Sequence, residues 1–130
     1  MGESLGQLQL QVMQAVWRRG RATVAEVHGE LAARRRLAYT TVLTTMRALE
    51  RRGVLRHRQE GKAYAYEPLL SREQYTSSTV GRLVRDLFQG SRARLLSHLL
   101  GADRISRAET ARLRKLVEGL VRDDKHRGQP

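Results

Sequence analysis

Tyr39, Thr40, Thr41, Thr44, Arg47 and Arg51 share one segment, 38–53, whose opposite face carries Val42, Met46 and Leu49. The apolar residues recur at i, i+4 and i+7, the spacing of a single buried helical stripe. Short hydroxyls bond base edges or touch a thymine methyl, and a guanidinium forks onto guanine or phosphate. With Glu50 as its one acid, this segment is poorly suited to general acid–base catalysis and well suited to lying against a polyanion. An ordinary amphipathic surface helix is the alternative reading of the segment taken alone. Gly53 sits where a helix C-terminus favours a left-handed residue.

The charge distribution favours the polyanion. The 130 residues hold 25 Lys+Arg against 13 Asp+Glu, a net charge of +12. Residues 34–62 carry nine basic residues, among them Arg51, Arg52 and Lys62, against Glu50 and Glu60, a net +7 in under a quarter of the chain. Such a field attracts nucleic acid or an anionic membrane and says nothing about fold. All but three of the basic residues are arginine, which suits phosphate recognition, although a GC-rich coding sequence gives the same bias.

Several chemistries are excluded or disfavoured. There is no cysteine, so disulfides, zinc fingers, iron–sulfur clusters and thiol catalysis are ruled out. His28, His57, His98 and His126 lie in separate elements without the i+3 or i+4 pairing of a helical metal site. Glu26 and Glu30 are one helical turn apart, but Glu26 has a capping role. No phosphate-cradling glycine loop or nucleophile motif occurs. The expectation is a non-enzyme with no metal and no cofactor. With neither a signal pattern nor an apolar run of the roughly 18 residues that span a bilayer, a soluble cytoplasmic protein without membrane contact is expected.

The elements that would position the polar face follow from caps and periodicity. Ser4 and Gln7 have capping-box spacing ahead of Leu5, Leu8, Val12, Ala15 and Val16, a helix ending near Arg19-Gly20. Thr23 and Glu26 form a second box before Val24, Val27 and Leu31. A third helix over 38–53 completes a helix-turn-helix layout. The period then becomes extended over 54–58 and 63–68, with Gly61 at a turn and Tyr64 and Tyr66 on one face. This hairpin is read as a basic wing, or as a hairpin that covers the helical core. The two readings are compatible.

Beyond it, boxes at Ser71/Gln74 and Ser106/Glu109 and a cap at Ser91 open three further helices. Their stripes include Tyr75, Leu83, Leu87 and Phe88, then Leu95 and Leu99, then Leu113, Leu116 and Leu120. These apolar residues are too few to close a core alone. Burial on a second copy is expected, with docking back on the N-terminal domain as the alternative. The expected class is mainly α with a small β-hairpin wing. A winged helix-turn-helix occupies residues 1–70, a helical dimerisation domain 71–122 and a disordered tail 123–130.

Leu10-Gln11-Val12-Met13 with Val16-Trp17, Thr23-Val24-Ala25-Glu26-Val27, the segment Ala38 to Met46, Arg52-Gly53-Val54-Leu55 and Tyr64 to Leu69 resemble the penicillinase-repressor (BlaI/MecI/CopY) family of winged-helix regulators. The likeness covers about residues 5–120. It implies a homodimer that binds a palindromic double-stranded DNA operator and represses transcription, with a sensor or protease as the partner that relieves repression. By motif position, Thr40, Thr41 and Thr44 would face the major groove, Arg51 and Arg52 would approach phosphate, and Lys62 would sit on the wing. Ala48 stands where the family usually has arginine, beside Arg47. Copper-responsive members bind metal through cysteines, which this chain lacks. Protease-controlled members are cut at an Asn-Phe or Asn-Ala type bond, and Leu95-Leu96-Ser97-His98-Leu99 lacks it. A nonspecific architectural DNA binder and a winged-helix protein-interaction module are the rival functions.

Overall fold

Leu5 is buried and its backbone N–H donates to the Tyr75 hydroxyl at 3.2 Å. The chain therefore stays extended through Gly6 (ψ 166°) before it coils into α1, Gln7–Arg19. Gly6, not Ser4, is the N-cap, and its N–H is satisfied by Gln9 Oε1 at 3.3 Å. The capping box expected at Ser4 and Gln7 is thus displaced, because the contact made by Leu5 decides where the helix begins. Val12, Met13, Ala15 and Val16 form the buried face of α1. The helix stops at Gly20, whose φ of 80° lies in the left-handed region.

A computed structural model describes residues 4–101 and 106–127 of the chain. After α1 come β1 (Ala22–Thr23), α2 (Val24–Ala32), α3 (Tyr39–Arg51), β2 (Leu55–Glu60) and β3 (Ala63–Pro68). α4 (Arg72–Phe88), α5 (Arg92–Leu100) and α6 (Arg107–Arg127) complete the order. Thr23 caps α2 through the expected box. Glu26 N–H donates to Thr23 Oγ1 at 3.1 Å, and Thr23 N–H to Glu26 Oε1 at 2.9 Å. The strands form an antiparallel sheet in the order β1-β3-β2, with Ala22 opposite Tyr66 and His57 opposite Tyr66 on its other side. β1 is absent from the sequence reading: two residues are too short for alternation to register.

The chain forms two compact units, Met1–Arg82 and Leu83–Pro130. The core of the first is built by Val12, Met13, Val16, Val27, Val42, Met46 and Leu49, all without solvent exposure, with Leu55 and Tyr66 beside them. The opening turns of α4 belong to this unit. Trp17 Nε1 donates to the Leu70 carbonyl at 2.9 Å, its ring lies 6.1 Å from that of Tyr75, and the Arg72 guanidinium stands 5.7 Å over the indole. Tyr75, expected on the dimerisation surface, is therefore committed to its own chain. The domain boundary expected at residue 70 lies inside α4 for the same reason.

In the second unit the Ser91 hydroxyl accepts the Arg94 N–H at 3.1 Å and opens α5, after a break at Gly90 with φ 82°. The Ser106 hydroxyl likewise accepts the Glu109 N–H at 3.1 Å and opens α6. Val84 is buried and Leu95 and Leu113 are half-buried, whereas Leu87 and Leu116 remain 69% and 64% exposed. α6 continues to Arg127, through most of the segment expected to fray. Residues 128–130 and the Leu120 side chain lie outside the described residues.

Three carboxylates add a pH-dependent part to stability. Glu26 is held below the ordinary glutamate range chiefly by the Thr23 backbone N–H, Glu30 by the Arg18 guanidinium and Glu67 by that of Arg56. Each stabilises the fold above its unfolded-state value, and that contribution is lost as pH falls through the lowered folded-state value. The larger determinant is the α3 stripe. Leu49→Ala is expected to destabilise the chain by about 2–5 kcal/mol in chemical denaturation. Thr44→Ala, on the exposed face, should leave the midpoint nearly unchanged.

Candidate nucleic-acid interface

Burial of Val42, Met46 and Leu49 against α1 and α2 sets the rotation of α3 about its axis. Thr40, Thr41, Thr44, Arg47 and Arg51 are all exposed, and Tyr39 is 47% exposed. The polar residues grouped by sequence spacing are thus brought together on one solvent-facing surface. Thr45, on its flank, is turned inward to its own helix and donates to the Thr41 carbonyl at 2.7 Å.

The start of α3 is fixed from α2. His28 Nε2 bonds the Leu37 carbonyl at 2.8 Å, and the His28 ring meets Tyr39 edge-on at 5.8 Å. Ala38 is the N-cap and supplies no side-chain cap. The positive end of the helix dipole therefore stands beside the hydroxyl face, an arrangement that favours a phosphate.

The wing rises beside the C-terminal half of α3. Gly61, at φ 61°, makes the tight turn between β2 and β3, with exposed Lys62 following it at the tip. Arg21 of the first unit pairs with Glu60 at 2.6 Å, while Glu67 receives Arg56 at 3.2 Å and Arg58 at 3.3 Å. Tyr66 is 3% exposed and Tyr64 is 53% exposed, so one of the paired tyrosines anchors the hairpin and the other faces solvent. Burial, followed by the nearby Glu50 charge, raises the Tyr66 hydroxyl above the ordinary tyrosine range, opposed by a hydrogen bond from Arg47. Arg47 is thereby held between the recognition face and the base of the wing.

The three residues expected at phosphate differ in their surroundings. Among the described residues, Arg51 and Lys62 have no carboxylate partner and are exposed. Arg52 is half-buried and donates to Gln9 Oε1 at 2.7 Å and to the Ser4 carbonyl at 3.5 Å. These bonds tie the end of α3 to the start of α1 and engage part of the guanidinium that was expected at phosphate. Arg35, in the basic run before α3, is similarly bonded to Gln11 Oε1 at 2.9 Å. Sequence reasoning also missed the link from Glu50 to His57. Its two ends come from different elements, and no local spacing signals it.

The family model for the penicillinase repressor matches residues 5–119. The chain belongs to the penicillinase repressor family. A relative in Mycobacterium tuberculosis, the transcriptional regulator BlaI, is 33% identical over 118 residues, which cover 89% of this chain and 84% of that one. Among solved structures, the DNA-binding domain of the repressor BlaI is similar with a TM-score of 0.51 and 26% identity, over 55% of this chain and 88% of that one. The Bacillus licheniformis BlaI monomeric form in complex with the blaP half-operator is similar with a TM-score of 0.51 and 25% identity, over 58% of this chain and 92% of that one. The fold of this penicillinase repressor family member, mostly helical with a small three-stranded antiparallel sheet, agrees with the expected class.

The different surroundings of Lys62 and Arg52 separate the two residues. Lys62→Ala should lower the magnitude of the log–log salt slope for DNA binding by about one per subunit, through loss of counterion release. Arg52→Ala should leave the slope unchanged and lower the denaturation midpoint. Fluorescence titrations from low to moderate salt, beside denaturation curves for both variants, check the pair.

Proposed function

We propose that this chain is a sequence-specific, DNA-binding transcriptional repressor that acts as a homodimer on a palindromic operator. The observation that carries the reading is the outward face of α3, where exposed hydroxyls and arginines stand together while its one acid, Glu50, is occupied by His57 at 2.6 Å. Thr40, Thr41 and Thr44 have the reach to read base edges, and Arg51 and Lys62 to hold phosphate on either side, so specifying and positioning contacts are divided between them. The complex of the Bacillus licheniformis relative with the blaP half-operator supports operator binding.

Support for the homodimer comes from the second unit. Leu87 and Leu116 are 69% and 64% exposed, and Leu83 and Leu99 also lie open. Large apolar side chains left open in this number are what an association surface would cover. A dimer would present two copies of α3 to half-sites about one DNA turn apart. The chain lacks cysteine and an Asn-Phe or Asn-Ala type bond at Leu95–Leu99. Relief of repression by a sensor or protease partner would therefore not use a cysteine metal cluster or a cut of that type within Leu95–Leu99. Among the described residues no helix is long and apolar enough to cross a membrane, consistent with a cytoplasmic place of action.

Thr44→Ala is expected to weaken the cognate site by about 1–3 kcal/mol and to leave random duplex almost unaffected. Equal losses on both would remove α3 from the groove. Leu83→Glu should place an unpaired charge in the dimer surface, at a cost of several kcal/mol, and yield monomers with weak cognate binding. A monomer for the unmodified chain at tens of micromolar in sedimentation equilibrium would contradict the dimer.

A further inference from the structure

Apolar packing anchors the base of the wing through Leu55 and Tyr66 but not its outer part. In β2 only Leu55 is buried, and residues 56–60 are exposed throughout. Side-chain ties to α3 therefore help to set the angle of this outer part: Arg47 bonds Tyr66 from the helix, and His57 reaches back to the helix from β2. Its backbone N–H and its ring Nδ1 both address Glu50 Oε2, at 3.3 Å and 2.6 Å. The ring also meets Tyr64 edge-on at 4.7 Å and Tyr66 at 5.9 Å. One imidazole thus joins the recognition helix to both strands of the wing.

We propose that His57 is a positioning residue of the DNA interface: it locks the wing to α3 through Glu50, and protonation of its imidazole strengthens operator binding. The inference rests on the operator-binding reading above. The charged and titratable groups that face the ring are Glu50 and Arg47 on α3 and Tyr64 and Tyr66 on β3, while Arg56, Arg58 and Glu67 fall on the opposite face of the hairpin by strand alternation. Glu67 is taken by Arg56 and Arg58, and Arg47 bonds Tyr66. Glu50 is therefore the carboxylate that answers His57.

A bond from Nδ1 to a carboxylate requires the proton on Nδ1 in either charge state. With a neutral ring, the bond leaves the negative charge of Glu50 uncancelled beside the DNA face. With an imidazolium, the bond is charge-assisted on both sides, which shortens and strengthens it. Protonation also cancels the one carboxylate of α3, which otherwise repels phosphate. A DNA duplex, being a polyanion, favours the protonated ring, so the complex binds more protons than the free components. Affinity then falls as pH rises.

The test uses the full chain and a duplex recovered by the purified protein from a random-sequence library, titrated at constant ionic strength. The unmodified protein should bind that duplex about fivefold more tightly at about pH 6 than at about pH 8. His57→Gln keeps a donor of similar reach and should give a nearly flat profile, losing affinity at the lower pH only. A merely structural role would reduce affinity equally at both. Glu50→Gln should flatten the profile as well, whereas His98→Gln, at an exposed position on α5, should preserve it. A flat profile for the unmodified protein, or an unchanged slope in His57→Gln and Glu50→Gln, overturns the role of His57 and leaves operator binding intact. Recovery of no preferred duplex overturns the operator reading itself.

Discussion

The packing of Val42, Met46 and Leu49 into the core is the constraint on which the rest of the interface depends. These side chains have no solvent exposure, and a helix cannot hide one stripe without fixing the opposite one. Rotating α3 to bury Thr40, Thr44 or Arg51 would desolvate hydroxyl and guanidinium groups without partners, at a cost of about 1–3 kcal/mol for each. The hydrophobic stripe therefore specifies the polar face, although it touches nothing outside the chain. Fold stability and recognition geometry are set by the same three side chains.

Electrostatics then sharpen what packing has oriented. The acids near this surface are engaged by bases from other elements: Glu60 by Arg21, Glu67 by Arg56 and Arg58, Glu50 by His57. Exposed pairs of this kind contribute little to stability, typically 0–1 kcal/mol each. Their consequence is for the field: carboxylates are drawn off toward the wing and β1, while Arg51 and Lys62 stay exposed on the side of the hydroxyls. On the proposed reading, a strongly basic chain would thereby concentrate its attraction for DNA where side chains short enough to read bases are found.

The sequence was most legible where signals are local. The Thr23/Glu26 box, the stop at Gly20, the α3 stripe and the turn at Gly61 each depend on residues a few positions apart, and each forms as expected. What could not be read depended on partners distant in the chain. Ser4 loses the cap because Leu5 is drawn to Tyr75, seventy positions away. Arg52 is basic and adjacent to Arg51, but Gln9, on another helix, claims it. Tyr75 has helical spacing with Leu83 and Phe88 but packs on Trp17. Composition and periodicity assign a residue to a face; they do not say which neighbouring element reaches that face first.

The central claim is that α3 and the wing form one DNA-reading surface. The most direct measurement is backbone amide mapping by NMR of the full chain, with and without the selected duplex. Perturbations should concentrate in residues 39–51 and 58–64, strongest at Thr40, Thr41 and Thr44, with α1 near Gln9 and Arg52 little affected. Perturbations centred on α1 and α2, or confined to residues 83–127, would contradict it.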